Sequence, residues 1–329
     1  MLSRRQFVWT SLAVAAAPSL LPRRALAFAP RRQFAEVPLV STKLRDNVWS
    51  ITERGGNSML ITTKEGAILV DTKISAAAQL LADEAKKVGG AAPKWVINTH
   101  HHFDHTGGNF AFDDAAEIIA HKNLNPRMQA NLDNMFKPAL ATQINALRTA
   151  GKTKEADQMA AWADKLTVDD IKADKEFDDK LEVEHGGVKI VLHHFGNGHT
   201  DNDVVIHLPE QNVMHMGDLF FNHMHPFIDR GAGATTVGWR AGVRKAMELC
   251  DDKTIVVPGH GLMSDKRGLP AQIEYFEQLQ TIVGQAIKDG KSKEAIGKIE
   301  PEEFKGFGLE QLREQALTNM YEELTAGMN

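Results

Sequence analysis

The feature that most constrains this chain is a short apolar segment that runs directly into a polar cluster, an arrangement that occurs four times. Short apolar runs of this kind predict strands. Side chains at strand ends are held on a rigid scaffold and stay open to solvent, as the ligands of a catalytic metal must be. The apolar segments are 95–97, 190–195, 213–216 and 255–257, and the polar clusters that follow them are 100–105, 198–200, 217–218 and 258–260.

The first polar cluster, residues 100–105 with the sequence HHHFDH, carries the strongest chemical signal. In an extended segment, side chains two positions apart face the same side, so His100 and His102 are expected to point together. His101 is expected to point away from them and to have a structural role. The cluster offers imidazole and carboxylate groups, which zinc accepts as ligands. They are too crowded for one ion and suit two adjacent ions, with a solvated histidine-rich loop as the alternative interpretation.

The rest of the chain predicts alternating strands and helices. Helical spacing predicts a helix at 76–88 capped by Ser75, a helix at 236–249, and helices nearly throughout the region after Pro270. Residues 122–176 are expected to form two or three helices inserted between strands. This order favours an α/β architecture with helices outside a sheet core. Strands are predicted at 48–52, 59–62, 67–71, 95–97, 117–120, 189–192, 204–208, 213–216 and 254–257.

The N-terminus has the features of an export signal. Arg4 and Arg5 precede the apolar run 8–17, and Ala25-Leu26-Ala27 has the small residues that a signal peptidase requires. The paired arginines are typical of a twin-arginine signal, so we expect residues 1–27 to engage the Tat export machinery and then to be removed. The run is too short to span a bilayer comfortably. The expected location is periplasmic or secreted.

Composition narrows the function further. The formal charge is −5, and removing 1–27 leaves 34 basic against 43 acidic residues, a charge of −9. An acidic chain offers little attraction for nucleic acid. No second apolar run is long enough for a membrane span, so we expect no stable span after the signal is removed. Cys250 is the single cysteine, so a metal site must use His, Asp or Glu.

The polar clusters occur in the order seen in the metallo-β-lactamase superfamily, which the chain resembles over roughly 48–264. The resemblance implies a four-layer αββα sandwich at 28–269 that contains the helical insertion 122–176. The helical C-terminus, 270–329, is expected to pack on this domain. The motifs that carry the resemblance are His100-x-His102-x-Asp104-His105, Gly198-His199-Thr200, Gly217-Asp218 and Pro258-Gly259-His260-Gly261.

The resemblance also implies a set of metal ligands for two divalent ions, zinc in the first place, with iron or manganese as alternatives. Asp104 is expected to have a second, catalytic role in handling a proton beside the bridging water. A Gly-Asp step at 217–218 looks more like glyoxalase II, lactonases and general hydrolases than like the zinc β-lactamases that place a cysteine near this step. The implied ligands are His100, His102 and His199 on the first ion, Asp104, His105 and His260 on the second, and Asp218 bridging the two.

The function that follows is hydrolysis of an ester, lactone, thioester or β-lactam-type bond in a small-molecule substrate. A water between two cations loses a proton near neutral pH and becomes the nucleophile. The alternatives are a mononuclear iron oxidoreductase of the persulfide dioxygenase kind, a nuclease, and a non-catalytic periplasmic accessory protein. The sequence leaves the substrate and the oligomeric state open.

Several residues have weaker signals. His223 and His225 follow Asp218 closely, and we interpret both as part of a surface loop. Asp229 shows no specific spacing. Four apolar residues in the insertion have helical spacing, which is more typical of a core than of a substrate pocket. They are Met128, Leu132, Met135 and Phe136.

Overall fold

Within residues 38–112 and 116–326, the first sheet has seven strands whose order in space follows their order in the chain. The computed structural model describes residues 38–112 and 116–326, so the expected signal at 1–27 lies outside the described residues. The first four strands pair antiparallel, and the remaining ones continue the sheet in parallel. The strands are β1 (Val40–Arg45), β2 (Val48–Thr52), β3 (Ser58–Thr63), β4 (Gly66–Val70), β5 (Pro93–Ile97), β6 (Glu117–His121) and β7 (Lys175–Phe177).

In the part of the chain that the structure describes, the second sheet has six strands in the order β13-β12-β11-β10-β9-β8. All its pairs are antiparallel except β11 with β12, which are joined by a helical crossover. Parallel pairing puts the carboxyl ends of these two strands at the same edge of the sheet. The strands are β8 (Lys180–His185), β9 (Val188–His193), β10 (Val205–Leu208), β11 (Val213–His215), β12 (Ile255–Val257) and β13 (Ser264–Asp265).

Helices cover the outer faces of both sheets. The turn 75–77 leads into α1, which links β4 to β5, and α6 links β11 to β12. The α-helices in the described residues are α1 (Ala78–Gly89), α2 (Phe103–Thr106), α3 (Leu124–Asn131), α4 (Lys137–Thr149), α5 (Thr153–Ala163), α6 (Thr236–Glu248), α7 (Leu269–Lys288), α8 (Lys293–Gly297) and α9 (Arg313–Thr325).

Burial on alternate strand positions builds the layers. On β3, Met59 and Ile61 face the second sheet and pack in one core cluster with Ile190 of β9. Leu60 points to the other face and packs with Leu81 of α1. Both faces of β3 are therefore apolar, as in a strand between two layers. Fully burying one such aliphatic side chain contributes about 1.5–3 kcal/mol.

The outer face of the second sheet is covered by helices from the C-terminal half. Met214 of β11 lies in a cluster with Trp239 of α6, Phe276 of α7 and Leu317 of α9. With the layers described above, this cluster completes an α-β-β-α order, and the predicted four-layer fold is confirmed. Among the described residues, no helix has both the length and the apolarity needed to cross a bilayer.

The insertion between β6 and β7 is helical, as predicted, and its apolar stripe belongs to the core. Met128, Leu132 and Phe136 are buried, and Met135 is half-buried. A π turn, Leu132–Phe136, connects α3 to α4. It lies just before Pro138, whose nitrogen has no hydrogen to donate to a carbonyl in the preceding turn.

The structure corrects two local predictions. Ser75 does not cap a helix: its hydroxyl donates to the carbonyl of Gly107 at 2.6 Å, and the helix begins through a 3₁₀ turn. Residues 175 and 176, expected within the helical insertion, belong to β7. Four strands were not predicted from the sequence, namely β1, β7, β8 and β13.

Candidate metal centre

The first group of predicted ligands comes from both sheets. His100 and His102 follow β5 of the first sheet, whereas His199 and Asp218 follow β9 and β11 of the second. Nδ1 of His102 lies 3.1 Å from Nε2 of His100 and 2.8 Å from Nε2 of His199. Oδ2 of Asp218 lies 3.7 Å from Nε2 of His100 and 3.4 Å from that of His199. We call these four residues the first cluster.

The second group lies beside the first. Nε2 of His260, which follows β12, lies 3.2 Å from Oδ2 of Asp104 and 3.4 Å from Nε2 of His105. Asp104 and His105 lie on α2, directly after β5, and their facing atoms are 3.7 Å apart. We call Asp104, His105 and His260 the second cluster. Like the first cluster, it draws on both sheets.

Asp218 lies between the two clusters. Its Oδ1 is 3.0 Å from Nε2 of His105, and its Oδ2 is 3.4 Å from Nε2 of both His199 and His260. The carboxylate is 4% exposed, and it is reached through the short turn Gly217–Leu219 after β11. One carboxylate thus faces ligand atoms of both clusters, which is the placement expected of a bridging ligand.

The protonation of the first cluster fits a cation. A carbonyl oxygen only accepts, so Nδ1 of His199 donates to the carbonyl of Phe227 at 2.8 Å. Nε2 of His102 donates to the carboxylate of Asp229 at 2.9 Å. The other nitrogen of each ring, Nδ1 of His102 and Nε2 of His199, faces the cluster, and these two nitrogens lie 2.8 Å apart. A cation bound by the lone pairs of both nitrogens would hold the two rings in this arrangement.

A buried carboxylate that we did not predict, Asp71, orients one ring in each cluster. Its Oδ2 accepts from Nδ1 of His105 at 2.7 Å and from the hydroxyl of Thr99 at 2.7 Å. Because that hydroxyl donates to Asp71, it accepts from Nδ1 of His100 at 3.0 Å. Nε2 of both rings is therefore directed into the clusters. The usable sequence signal is the position of Asp71 at the end of an apolar strand, the same placement that the four polar clusters have.

The electrostatics of the two clusters differ. Burial lowers the pKa of His100 well below its usual value and that of His199 to about 3. Burial would also lower the pKa of His105 and His260, but nearby carboxylates, Asp218 above all, raise that of His105 well above its usual value and that of His260 to about 9. Burial would raise the pKa of Asp218, yet the surrounding histidines, His105 first, hold it far below its usual value. The rings of His100 and His199 are thus neutral, and the second cluster holds protons that a cation would replace.

The loop between β2 and β3 packs closely against the second cluster. The amide of Gly56 donates to the carbonyl of Asp104 at 3.0 Å. A Cβ at Gly56 would lie 2.1 Å from Cε1 of His105, so a side chain has no room there. The carbonyl of Gly56 accepts from the fully buried ammonium of Lys73 at 2.8 Å. Burial lowers the pKa of Lys73 to about 7, against an opposing effect of Asp71.

Three further histidines have the following positions. His101 is buried, with Nδ1 at 3.0 Å from the side-chain amide of Asn202 and Nε2 at 3.9 Å from Oδ2 of Asp229. His223 is exposed, in agreement with the surface loop we predicted. The same prediction is wrong for His225, which is fully buried and bonded to the hydroxyl of Tyr275 at 2.8 Å, because the C-terminal helices cover it.

The fold and the grouped ligands define a class of metal-binding α/β proteins, and comparison with known proteins identifies the family. The family profile described as "Metallo-beta-lactamase superfamily" matches residues 51–260. The chain belongs to the metallo-beta-lactamase superfamily, as its motifs predicted. Membership and the histidine and aspartate clusters together support a metal-dependent hydrolase that binds divalent metal.

The individual relatives are distant. A metallo-beta-lactamase type 2 from Bacillus sp. (strain 170) is 24% identical over 234 residues, covering 68% of this chain and 77% of the relative. The 2,4-dinitroanisole O-demethylase subunit alpha from Nocardioides sp. (strain JS1661) is 23% identical over 258 residues, covering 78% of this chain and 67% of the relative.

Solved structures extend the comparison to the fold. The metallo-beta-lactamase FIM-1 from Pseudomonas aeruginosa, in its mono-zinc form, has a TM-score of 0.54 at 20% identity and covers 75% of this chain and 98% of that one. A metallo-beta-lactamase from Pontibacter korlensis has a TM-score of 0.53 at 21% identity, covering 72% and 97% respectively. At this identity the likeness shows the shared fold.

Proposed function

We propose that this protein is a hydrolase that binds two divalent ions, zinc in the first place, and cleaves an ester, lactone, thioester or β-lactam-type bond of a small molecule. The observation that carries the proposal is the position of Asp218, whose two oxygens face ligand atoms of both clusters at 3.0–3.4 Å. A carboxylate placed in this way suits two adjacent ions better than one. His100, His102 and His199 would hold the first ion, and Asp104, His105 and His260 the second.

The chemistry divides between the ions and the chain. Two bound divalent ions would lower the pKa of a water molecule between them and polarise the carbonyl of the substrate. Asp104 is ionised, since His105 and His260 hold its pKa low against the effect of burial. With 34% of its side chain exposed, it reaches the open side of the site, where it can accept a proton from water and return it to the leaving group.

Aromatic rings line the ligands and limit their movement. The ring of Phe227 lies 5.3 Å from that of His102, edge to face, and the ring of Phe221 stacks on that of His260 at 5.0 Å. Such contacts fix imidazole orientations and keep water away from the faces of the rings. The ligands are thereby prepared for binding before an ion arrives.

We also propose that the chain is exported, with residues 1–27 as a twin-arginine signal and the Tat machinery as the partner that recognises it. This route carries folded proteins, which suits a site assembled from residues more than 150 positions apart in the chain. Expression of the full chain in a bacterium with and without a working Tat pathway, followed by fractionation and N-terminal sequencing, tests it. Processing that is independent of Tat would refute this part of the proposal.

A combined assay of metal content and activity tests the proposed reaction. Purified protein is expected to contain close to two divalent ions per chain and to cleave at least one member of a panel of nitrocefin, acyl-homoserine lactones, S-lactoylglutathione and aryl esters. 2,4-Dinitroanisole belongs in the panel because one relative is named for its demethylation. His260→Ala and Asp104→Ala are expected to abolish turnover, and His223→Ala, at an exposed histidine, to retain it. One iron per chain, together with oxygen consumption when glutathione persulfide is the substrate, would refute the hydrolase proposal.

A further inference from the structure

The last helix of the described chain, α9, bonds directly to the segment that orients the first cluster. The side-chain amide of Gln315 pairs with both polar backbone groups of Ile228: the amide of Ile228 donates to Oε1 at 3.2 Å, and Nε2 donates to its carbonyl at 3.1 Å. Asn319, one turn further along α9, donates to the same carbonyl at 2.8 Å. The backbone of Ile228 is thus held by three hydrogen bonds from one helix.

Ile228 lies between the two groups that orient His199 and His102. The residue before it, Phe227, accepts through its carbonyl from His199, and the residue after it, Asp229, accepts through its carboxylate from His102. Any shift of the Ile228 backbone therefore moves both acceptors together. His102 and His199 are the rings whose ligand nitrogens face each other at 2.8 Å, so the geometry of that pair depends on this segment.

Other contacts hold the same segment against the C-terminal region. The Ile228 side chain is fully buried in the core cluster that includes Leu317 of α9. On one side of it, the amide of His225 donates to the carbonyl of Gly308 at 2.9 Å. On the other side, the amide of Thr236 donates to the carboxylate of Glu323, also on α9, at 3.0 Å. The segment from His225 to Thr236 is thus anchored to the C-terminal region at both ends and, through Ile228, in the middle.

We infer that α9 is a functional part of the metal site, with Gln315 and Asn319 as positioning residues for the first ion. They touch neither ion nor substrate. They act through Ile228 on Phe227 and Asp229, and thereby on His199 and His102. This inference rests on the proposed metal site, and it assigns to the C-terminal helix a role in metal affinity beyond its packing on the second sheet.

The groups that orient the two clusters differ in their contacts with α9, so the inference applies to the first ion alone. The second cluster is oriented by Asp71 and by the loop that carries Gly56, neither of which bonds to α9 in the described residues. Loss of a hydrogen-bond partner of a metal ligand typically lowers metal affinity by about 10–100-fold. Because Gln315 acts one residue away from such partners, we expect the lower end of that range, about tenfold, at the first ion alone.

The test compares Gln315→Leu with Gln311→Leu. The control makes the same chemical change at an exposed position just before α9. Stepwise Zn²⁺ affinities are measured by chelator competition, Co²⁺ spectra report ligand geometry, and thermal unfolding of the metal-free proteins reports stability. Gln315→Leu is expected to weaken the first-cluster ion about tenfold and to alter its Co²⁺ spectrum, while the second-cluster ion and the control keep wild-type values.

The outcomes separate this inference from the proposed function. Lower thermal stability of Gln315→Leu with both affinities unchanged, or with both weakened equally, would show a merely structural role and overturn the inference. Wild-type protein that binds no divalent ion would overturn the metal site and the inference with it. If Gln315→Leu fails to fold, Asn319→Ala removes one of the three hydrogen bonds, and unchanged affinity for the first ion in that variant refutes the inference.

Discussion

The carboxylate of Asp71 lies 2.7 Å from Nδ1 of His105, in a pocket where both side chains are fully buried. The same carboxylate reaches His100 through the hydroxyl of Thr99. A single residue therefore sets the direction of one ring in each cluster.

Asp71→Asn is expected to weaken metal binding without a large change in shape. Both carboxylate oxygens of Asp71 accept: Oδ2 from His105 and the Thr99 hydroxyl, and Oδ1 from the backbone amide of Thr99 at 2.8 Å. An amide has one acceptor oxygen, so its NH2 group must face donors on one of the two sides. We expect the second-cluster ion to lose about 10–100-fold in affinity, with a smaller loss at the first. Chelator competition measures both, and Asp46→Asn, at a fully exposed side chain, is the control. Wild-type affinities in Asp71→Asn would contradict the role assigned to this carboxylate.

Metal uptake is expected to depend on pH differently in the two clusters. In metal-free protein, carboxylates raise the pKa of His260 to about 9, so a cation entering the second cluster below that pH must displace a proton. Its affinity should rise with pH by about tenfold per unit for each proton released, up to about pH 9.

Metal affinity at the first cluster should depend less on pH, because burial lowers the pKa of His199 to about 3 and the ring is already neutral. His260→Ala isolates binding at the first cluster, and His199→Ala isolates binding at the second. Zinc titrations of both variants from about pH 6 to about pH 9 give the two slopes. Equal slopes would show that the proton difference between the clusters does not exist.

Gly56→Ala is expected to damage the second cluster through steric overlap. A Cβ at Gly56 would lie 2.1 Å from Cε1 of His105, so the ring or the loop must move. Overpacking of this kind costs about 1–3 kcal/mol in the free energy of unfolding. Denaturant unfolding and zinc stoichiometry measure the two effects. Gly284→Ala is the matched control: its Cβ meets no atom closer than 4.0 Å, and Ala in a helix gains about 0.5–1 kcal/mol over Gly.

Lys73→Met is expected to change how stability depends on pH. Burial lowers the folded-state pKa of Lys73 to about 7 from its usual value of 10.5, so between these values the unfolded chain binds more protons than the folded one. The free energy of unfolding of metal-free wild type should then rise with pH across this window, by at most about 1.4 kcal/mol per unit from this group. The Met variant should lose that contribution.

The control for this change is Lys288→Met, at an exposed position on α7. It should keep the wild-type slope, because an exposed lysine has nearly the same surroundings in the folded and unfolded chain. Denaturant unfolding at about pH 7 and about pH 10 measures all three proteins. A wild-type slope in Lys73→Met would mean that Lys73 stays protonated in the folded protein.

The strand-end pattern predicted the layers of the fold and the residue types that meet at one edge of it. Apolar strands and metal-ligand motifs can both be recognised from residues that are close together in the sequence. The edge strand β8 was missed because its alternating charged residues, Lys180 and Glu182 among them, face solvent and resemble a loop. β1 was missed for a similar reason, because its residues are exposed or half-buried.

The partners of the ligands were harder to predict. The carbonyl of Phe227 acts through a backbone atom, which has no residue-type signature. Asp229 and Gln315 are 127 and 87 positions away from the residues they contact, His102 and Ile228. Local sequence patterns contain no information about which distant polar groups packing will bring together. His225 was misjudged for the same reason, since its cover comes from the C-terminal helices.

Each cluster takes ligands from both sheets, and this gives the proposed ions a mechanical consequence. An ion held by His102 and His199, or by His105 and His260, would cross-link the two halves of the sandwich at a single edge, much as a disulfide joins two layers. We expect removal of the ions by a chelator to separate the two sheets first at that edge. Amide hydrogens at the ends of β5 and β12 would then exchange faster, while the apolar interface farther from the ions stays closed.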